Sequence, residues 1–273
     1  MEKITLTAEQ MDRLKAIELE ILVEVDRICR KHGIEYVIAY GTLIGAIRHN
    51  GFIPWDDDVD ICMTRENYLR FREVCRTELD ERFFYQSHET DKNYFYLFDK
   101  IRANGTVFKE TFLAEHDIHH GVYLDVFPVD ALPDNKYLRK LHYGKFRLCR
   151  LILQSKYLAL NARQGKKKKE AAMIRILFAP FSLEFLYRQA EKTAMKCNGN
   201  PGKDVCCYTS TYGKKDIFPA AFFTDIVDGC FEGHTVKIPA HYDALMKKIY
   251  GNYMQLPPEE KRCSVHDLLE VQL

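Results

Sequence analysis

The sequence predicts an α+β protein, with a mixed β-sheet flanked by helices, a helical insert and a looser C-terminal segment. Three observations carry this prediction. Apolar residues recur every three or four positions between 11 and 28, which is typical of an amphipathic helix. Short β-rich runs bounded by turn residues follow up to residue 130, and a basic stretch with helical periodicity extends from about 135 to 197.

With 273 residues, the chain is long enough to bury a large core. We expect one compact domain in three parts: a sheet core at 1–133, a helical basic region at 134–197, and a C-terminal segment at 198–273 that packs on the core. The formal net charge of +1 gives no general attraction to nucleic acid, so no nucleic-acid partner is expected.

Signals at the segment ends predict the elements in order. Thr7 and Gln10 form a capping-box pattern that should begin the first helix, and Gly33 should end it. Residues 34–40 are β-rich and predict a buried strand, and 41–50 predict a short helix. The later elements are predicted as a strand at 56–63, a helix at about 65–80, strands at 82–88, 94–108 and 121–130, a hairpin at 231–239 and a helix at 241–254.

The sequence also indicates a compartment. The N-terminal stretch lacks the apolar core and cleavage site of a signal peptide, and no run of about 18 apolar residues occurs that could span a membrane. Nine cysteines without a CxxC pair favour reduced thiols over a disulfide framework. We therefore expect a cytoplasmic protein.

The strongest functional signal is the aspartate cluster in DDDVD, residues 56–60. On a strand, Asp56, Asp58 and Asp60 would share one face, and Asp57 would point away. Like charges this close are unfavourable unless a cation neutralises them, and Mg²⁺ takes oxygen ligands while leaving positions for phosphates. The cluster therefore predicts a metal-dependent phosphoryl-type transfer. The alternative is a solvated loop or a helix cap, since Asp favours both.

The order of elements resembles the nucleotidyltransferase fold of polymerase-β-like enzymes: helix, strand, Gly-Thr turn, short helix, Asp-x-Asp strand, and a later strand with a third acid. A narrower resemblance is to the LicD family, which includes the fukutin-related transferases. It is carried by YGTLIGAIRHNGFIPWDDDVDICM, HGVYLDVFPVD and LPPEEKR, and the segments KIRANGT and YGNYM also fit. This resemblance covers most of the chain and implies a nucleotidyltransferase-like catalytic core at 1–133.

The resemblance implies a set of metal ligands. Asp58, Asp60 and Asp125 would hold two Mg²⁺ or Mn²⁺ ions that clamp the attacking and leaving oxygens of an in-line displacement. Asp125 is also a candidate base for the acceptor hydroxyl. Asp56 shares the same face and could bind or orient a metal, whereas Asp57 is expected to be structural.

Residues that bind the donor phosphates are predicted nearby. Two glycines permit close approach of the backbone to a phosphate, and a threonine hydroxyl replaces the serine usual in polymerase-β-like enzymes. An arginine of the short helix could pair with the diphosphate or could simply lie on the helix surface. Lys100 and Arg102 lie two positions apart on a predicted strand. They could steady the CMP that leaves a CDP-linked donor, or they could be ordinary exposed cations. These candidates are Gly41, Thr42, Gly45, Arg48, Lys100 and Arg102.

Several histidines and one arginine are weaker candidates. His116, His119 and His120 do not supply the four ligands of a structural zinc site, and no cysteine lies near them in sequence. We keep His120 as a residue that could support the site, because it precedes the Asp125 strand. Arg262 ends LPPEEKR and His266 follows it; both could close over a substrate, or could belong to an ordered tail.

The lysine run at 166–169 lies beside an apolar helical stretch and could contact the inner face of a membrane peripherally. A solvated loop before a core helix is the alternative. The chain also holds 16 Tyr and 17 Phe, some of which could surround a choline headgroup by cation–π attraction, although most must form core.

The resemblance implies a Mg²⁺-dependent phosphotransferase. It would move phosphocholine from CDP-choline, or another phospho-alcohol from its CDP derivative, to a hydroxyl of a surface glycan precursor or lipid-linked glycan, and CMP would leave. Two alternatives remain at this point: a true nucleotidyltransferase that moves an NMP group from an NTP, and a catalytically inactive module that binds metal or glycan.

Overall fold

A computed structural model describes residues 4–113, 115–157, 165–199, 202–264 and 266–273, without the side chains of 165–168. The helices are α1 Ala8–His32, α2 Tyr40–His49, α3 Arg65–Glu78, α4 Lys136–Tyr157, α5 Gly165–Leu177, α6 Leu183–Met195 and α7 Tyr242–Tyr250. The strands are β1 Val37–Ile38, β2 Asp60–Thr64, β3 Phe83–Gln86, β4 Asp99–Ala103, β5 Val107–Glu110, β6 Tyr123–Ala131, β7 Asp204–Cys206, β8 Ile217–Pro219, β9 Ile226–Phe231, β10 His234–Pro239 and β11 Leu268–Gln272.

Helix α1 begins and ends where the capping signals predict. The Thr7 hydroxyl accepts the Gln10 N–H at 3.1 Å, and the Gln10 side chain accepts the Thr7 N–H at 3.0 Å. Gly33 ends the helix in the left-handed conformation, with a φ of 59°. The apolar stripe of α1 is buried in the main core, so both the helix and its buried face are confirmed.

The main sheet is mixed. Its strands lie in the order β1-β2-β6-β4-β3. In addition, β7 pairs with both β6 and β8. Strands β2 and β6 run parallel, whereas every other pair in this sheet is antiparallel. The predicted combination of a mixed sheet with flanking helices is confirmed.

Two smaller sheets bring the later part of the chain onto the core. Strands β9 and β10 form the predicted hairpin. Strand β11 pairs with β5 in antiparallel register, which carries the end of the chain back to the middle of the sequence. The strands β7, β8 and β11 are not predicted: β7 and β8 have only three residues each, and β11 forms by pairing with β5, which is distant in sequence.

Two predicted strands are longer than those observed. The strand predicted at 34–40 is reduced to β1, because Tyr40 has a φ of 47° and turns the chain into α2. The strand predicted at 56–63 begins at Asp60, because the preceding residues form a turn in which Asp56 N–H donates to Ile53 O at 3.0 Å. Likewise, the strand predicted at 94–108 separates into β4 and β5, and its first residues lie outside both.

The predicted helical region contains α4, α5 and α6. The lysine run at 166–169 lies in the first turns of α5 and not in a loop, but the side chains of its first three lysines are outside the described part, so the predicted membrane contact is untested there. Among the described residues, no helix combines the length and apolar character needed to cross a bilayer. The nine cysteines are free thiols.

Candidate active site

A cavity of about 670 Å³ lies beside the parallel pair β2 and β6. Five acidic and nine aromatic residues are among those that line it. Its lining comprises Tyr40, Gly41, Ile44, Ile53, Asp56, Asp58, Asp60, Phe95, Tyr96, Leu97, Phe98, Lys100, Glu110, Phe112, Tyr123, Asp125, Phe127, Arg150, Leu153, Gln154, Thr209, Ser210, Thr211, Tyr212, Tyr250 and His266.

Backbone pairing fixes two of the acidic residues beside each other. Asp60 of β2 is the register partner of Asp125 of β6, and the Asp125 N–H donates to Val59 O at 2.8 Å. Asp60 is held on its other side by α2, since its N–H donates to the Thr42 hydroxyl at 2.8 Å and its carbonyl accepts the Ala39 N–H at 2.9 Å. Two carboxylates from distant segments therefore meet at the cavity.

The turn before β2 brings two further carboxylates to the same cavity. Asp56 and Asp58 line it, whereas Asp57 does not, although this segment is a turn and not the predicted strand. Burial and the neighbouring Asp58 raise the pKa of Asp56 to about 8. Burial likewise raises the pKa of Asp58 to about 6 and that of Asp60 well above its usual range. The site thus gathers negative charge at a cost that a cation would offset.

Lys100 of β4 neutralises part of this charge. Its ammonium lies 2.5 Å from Asp125 Oδ1 and 3.3 Å from the ring centroid of Tyr123. Burial lowers the pKa of Lys100, and the nearby Asp125 opposes that change. Lys100 is buried in this pair and is not an exposed strand cation.

The end of the chain places a histidine at the cavity. His266 Nδ1 lies 3.0 Å from Asp57 Oδ1, and the other carboxylate oxygen of Asp57 accepts a hydrogen bond from the Ser264 hydroxyl. His266 Nε2 is 3.3 Å from the Tyr123 hydroxyl. Burial disfavours the imidazolium, but the hydrogen bond to Asp57 and the negative charges of Asp57, Asp58 and Glu110 together outweigh it and raise the pKa of His266 to about 9. Asp57 therefore orients a cationic side chain toward the cavity.

The remaining predicted site residues lie outside the cavity lining. Thr42 positions Asp60, and Gly45 packs where an added Cβ would lie 2.3 Å from Gly51 O. Arg48 donates to Tyr253 O at 2.7 Å, and Arg102 donates to Gly121 O at 2.6 Å.

Two further predicted residues also have partners elsewhere. His120 Nε2 is 3.0 Å from His116 O, and Arg262 Nε donates to Pro257 O at 2.9 Å. Arg262 also lies over the Trp55 ring, 5.7 Å from its centroid. Neither residue lines the cavity.

Much of the cavity wall was not predicted. Arg150 and Gln154 reach it from α4, and Arg150 donates to Ser210 O at 2.9 Å. Their helical spacing, four apart in a basic helix, carried no signal of a site. The aromatic wall could not be separated from core by sequence. Its members are Tyr40, Phe95, Tyr96, Phe98, Phe112, Tyr123, Phe127, Tyr212 and Tyr250.

The side-chain oxygens of the cavity are ligands that suit a hard divalent cation. Its four aspartates offer oxygen ligands, and the raised pKa values of Asp56, Asp58 and Asp60 show that uncompensated charge is unfavourable there. In the described ranges, however, no three His, Cys, Asp or Glu side chains are arranged as a ready ligand group. A metal would therefore require these side chains to rotate.

Comparisons with known proteins agree with the resemblance to the LicD family predicted from the sequence. Residues 33–85 match the family model described as "LicD/FKTN/FKRP, nucleotidyltransferase domain". The chain is 28% identical to the lipopolysaccharide cholinephosphotransferase LicD of Haemophilus influenzae, and the alignment covers 97% of each chain. It is also 36% identical over 77 residues to an uncharacterised protein of Rickettsia typhi, which is 26% of this chain and 25% of that one. The predicted resemblance to the LicD family is confirmed.

Proposed function

We propose that this chain, which resembles the LicD family, is a phosphotransferase that moves a phospho-alcohol from a CDP-linked donor to a glycan hydroxyl and releases CMP. The observation that carries the proposal is one cavity that four aspartates and nine aromatic side chains line together. The acidic part suits a metal-bound pyrophosphate, and the aromatic part suits an organic cation. The name of the Haemophilus relative favours phosphocholine as the transferred group and a lipopolysaccharide precursor as the acceptor.

We propose that the core is of the nucleotidyltransferase type. Supporting this, the Gly41-Thr42 turn begins α2, Asp58 and Asp60 follow at the start of β2, and Asp125 lies on the neighbouring parallel strand. This is the order of parts that such a core needs, because the acids must converge from adjacent strands.

Asp58, Asp60 and Asp125 would hold the metal, with Asp56 beside them. Mg²⁺ bound there would supply charge neutralisation at the pyrophosphate. Asp125 lies beside the cavity where an acceptor hydroxyl could give up its proton, and Lys100 fixes the orientation of the Asp125 carboxylate.

Cationic side chains of this chain would meet the donor phosphates. His266 lines the cavity as an imidazolium held by Asp57. Arg150 reaches the cavity from α4 and is fixed by the Ser210 carbonyl. Both positions allow hydrogen bonds to anionic oxygens, which strengthen as negative charge accumulates on the departing CMP.

The aromatic wall would hold a trimethylammonium group. Tyr40 and Tyr212 stack with ring centroids 5.2 Å apart, and Phe98 and Phe127 lie with centroids 4.5 Å apart. Aromatic faces attract a desolvated organic cation by about 2 kcal/mol in favourable cases. A ribitol or glycerol donor would not gain this attraction, so we propose CDP-choline as the donor.

The test is to incubate the protein and Mg²⁺ with an acceptor glycan and, in turn, CDP-choline, CDP-ribitol, CDP-glycerol, ATP and CTP. We expect acceptor-dependent CMP release, fastest with CDP-choline. Diphosphate release from an NTP would instead identify a true nucleotidyltransferase. Absence of turnover with every donor would favour an inactive binding module.

The metal assignment is tested by Asp58→Asn, Asp60→Asn and Asp125→Asn. Each variant should lose at least about a hundredfold in turnover, because charge stabilisation at the reacting phosphate is lost. Mg²⁺ binding, measured by calorimetry, should weaken in the same variants while circular dichroism stays unchanged. Asp134→Asn, outside the cavity lining, is the matched control. Wild-type turnover in either Asp58→Asn or Asp60→Asn would refute the assignment.

A further inference from the structure

The charges of this chain are distributed very unevenly. Helices α4 to α6, residues 136–195, contain 15 Lys and Arg but three Asp and Glu, whereas the whole chain has a formal net charge of +1. The rest of the molecule is correspondingly acidic. A local excess of this size attracts an anionic surface even though the whole protein is nearly neutral.

The same region exposes large apolar side chains. Ten of the fourteen exposed large hydrophobic residues among the described ones lie between 137 and 185. On α4 they form a stripe, with Tyr137 86% exposed, Leu141 72%, Leu148 56% and Leu151 45%. The spacing of four, seven and three residues keeps these side chains on one side of the helix.

Helix α4 therefore has two distinct sides, one at the cavity and one exposed. Arg150 and Gln154 face the cavity, while the exposed stripe lies on a different side of the helix. Lys140 and Lys145 are exposed and flank the stripe on its two sides at helical spacing. An apolar strip bordered by lysines is the arrangement of helices that lie in the interface of a bilayer.

Helix α5 adds a second exposed apolar group beside the end of α4. Met173 is 65% exposed and Ile176 79% exposed, and Lys169 is exposed one turn before them. Arg175 Nε donates to Ser155 O at 2.9 Å, which joins α5 to the last turns of α4. We call Tyr137, Leu141, Leu148, Leu151, Met173 and Ile176, with the lysines that border them, the α4–α5 surface.

We propose that the α4–α5 surface docks this protein onto an anionic lipid bilayer, with its apolar side chains at the headgroup–acyl boundary and its lysines at the headgroups. Two independent properties support a bilayer over a protein partner. The apolar strip runs along the exposed side of a helix, and the charge that borders it is almost entirely of one sign. Docking there would leave the cavity side of α4 open to a lipid-linked acceptor.

The test is sedimentation of the full chain with vesicles of phosphatidylcholine containing phosphatidylglycerol, compared with phosphatidylcholine alone. We expect binding to the anionic vesicles that weakens at 1 M salt, where the Debye length falls to about 3 Å. The triple variant Lys140→Gln, Lys145→Gln, Lys169→Gln should lose about a hundredfold in binding, from about fivefold per lysine. The control Lys92→Gln, Lys203→Gln, Lys214→Gln makes the same charge change at exposed lysines elsewhere and should bind as wild type.

A second variant separates insertion from simple charge attraction. Leu141→Gln, Leu148→Gln, Met173→Gln should lose about tenfold or more, because each side chain leaves an apolar environment. Its control is Val23→Gln, Val227→Gln, Met254→Gln, which alters exposed apolar residues elsewhere. Donor turnover with a soluble acceptor should be unchanged in all four variants, so a failure of the proposed function and a failure of docking are read separately.

Two outcomes overturn the proposal. One is that wild type fails to bind anionic vesicles, or that the α4–α5 variants bind as well as their controls. The other is that light scattering shows a wild-type dimer which the apolar variants convert to monomer without any vesicle binding, since the surface would then be an interface between copies.

Discussion

At the residue scale, the site depends on a threonine that does not touch the cavity. The predicted phosphate-binding hydroxyl of Thr42 instead accepts the N–H of Asp60 and thereby fixes the start of β2. Thr42 is 3% exposed, so this hydrogen bond is shielded from water. Thr42 thus positions the backbone of Asp60, and with it the Asp60 carboxylate.

Thr42→Val tests this role. Valine has nearly the same shape but leaves the buried Asp60 N–H without its acceptor, which should cost about 1–3 kcal/mol of unfolding free energy. We expect turnover to fall as Asp60 moves, with weaker Mg²⁺ binding, as measured by denaturant unfolding, kinetics and calorimetry. Thr42→Ser keeps the hydroxyl and should retain most of the turnover. Equal turnover in the Val and Ser variants would contradict the positioning role.

The sequence predicts these residues better than it predicts what they contact. Asp56, Asp58 and Asp60 were found because like charges at alternating positions are rare without a purpose, and Asp125 was found through the family resemblance. The structure brings all four to one cavity. The partner of Lys100 could not be predicted, because its pairing with Asp125 depends on the register of β4 against β6. The spacing of residues along one strand does not reveal how that strand is aligned with its neighbour.

At the element scale, α2 packs its first turn against the aspartate segment. A Cβ at Gly41 would lie 2.4 Å from Asp56 Oδ2, which is the end of a side chain that can rotate. The preceding Tyr40 adopts a φ of 47° and is held there by its hydroxyl, which donates to Asp216 at 2.7 Å. The entry into α2 therefore determines where Asp56 points.

Gly41→Ala should displace the Asp56 carboxylate while leaving the fold nearly as stable as wild type. We expect a loss of turnover and Mg²⁺ affinity with a change of less than about 1 kcal/mol in unfolding free energy, because alanine favours a helix over glycine. Gly144→Ala is the matched control, since nothing lies within 4 Å of its added Cβ on α4. A Gly41→Ala enzyme with wild-type kinetics would show that Asp56 is not needed in its observed position.

The elements themselves were predicted where local signals suffice. The capping box of α1 and the hairpin β9–β10 depend on neighbouring residues, and both are confirmed. The start of β2 was wrong by four residues, because alternation of Asp56 and Asp58 mimics a strand in a segment that begins with a turn and has no register partner on β6 before Asp60. Local pattern cannot reveal where pairing with β6 begins.

At the scale of the whole molecule, the end of the chain completes the site. Strand β11 pairs with β5 and brings Ser264 and His266 to Asp57, more than 200 residues away in sequence. No pattern in the tail predicts this contact, since Leu268 to Gln272 form a short strand on an edge that exists only after folding. The Asp57 side chain is 0% exposed and accepts both hydrogen bonds.

His266→Gln should weaken both stability and catalysis. Asp57, Asp58 and Glu110 surround His266 with negative charge, and its pKa is raised to about 9 from an ordinary value near 6.5. The folded state therefore binds this proton more tightly than the unfolded state does. The stabilisation, about 3 kcal/mol, is fully present below pH 6.5 and is lost as pH rises through 9.

The difference in unfolding free energy between wild type and His266→Gln, from urea denaturation at pH 6 and pH 9, should thus be large at pH 6 and small at pH 9. The variant should also lose turnover at neutral pH, because a cation facing the donor phosphates is gone. Ser264→Ala removes the neighbouring hydrogen bond to Asp57 but keeps the imidazolium, so it should retain the pH dependence of wild type. A His266→Gln difference that is constant across this range would mean that His266 carries no extra proton in the folded protein, and the cavity would then lack the cation that the tail was inferred to supply.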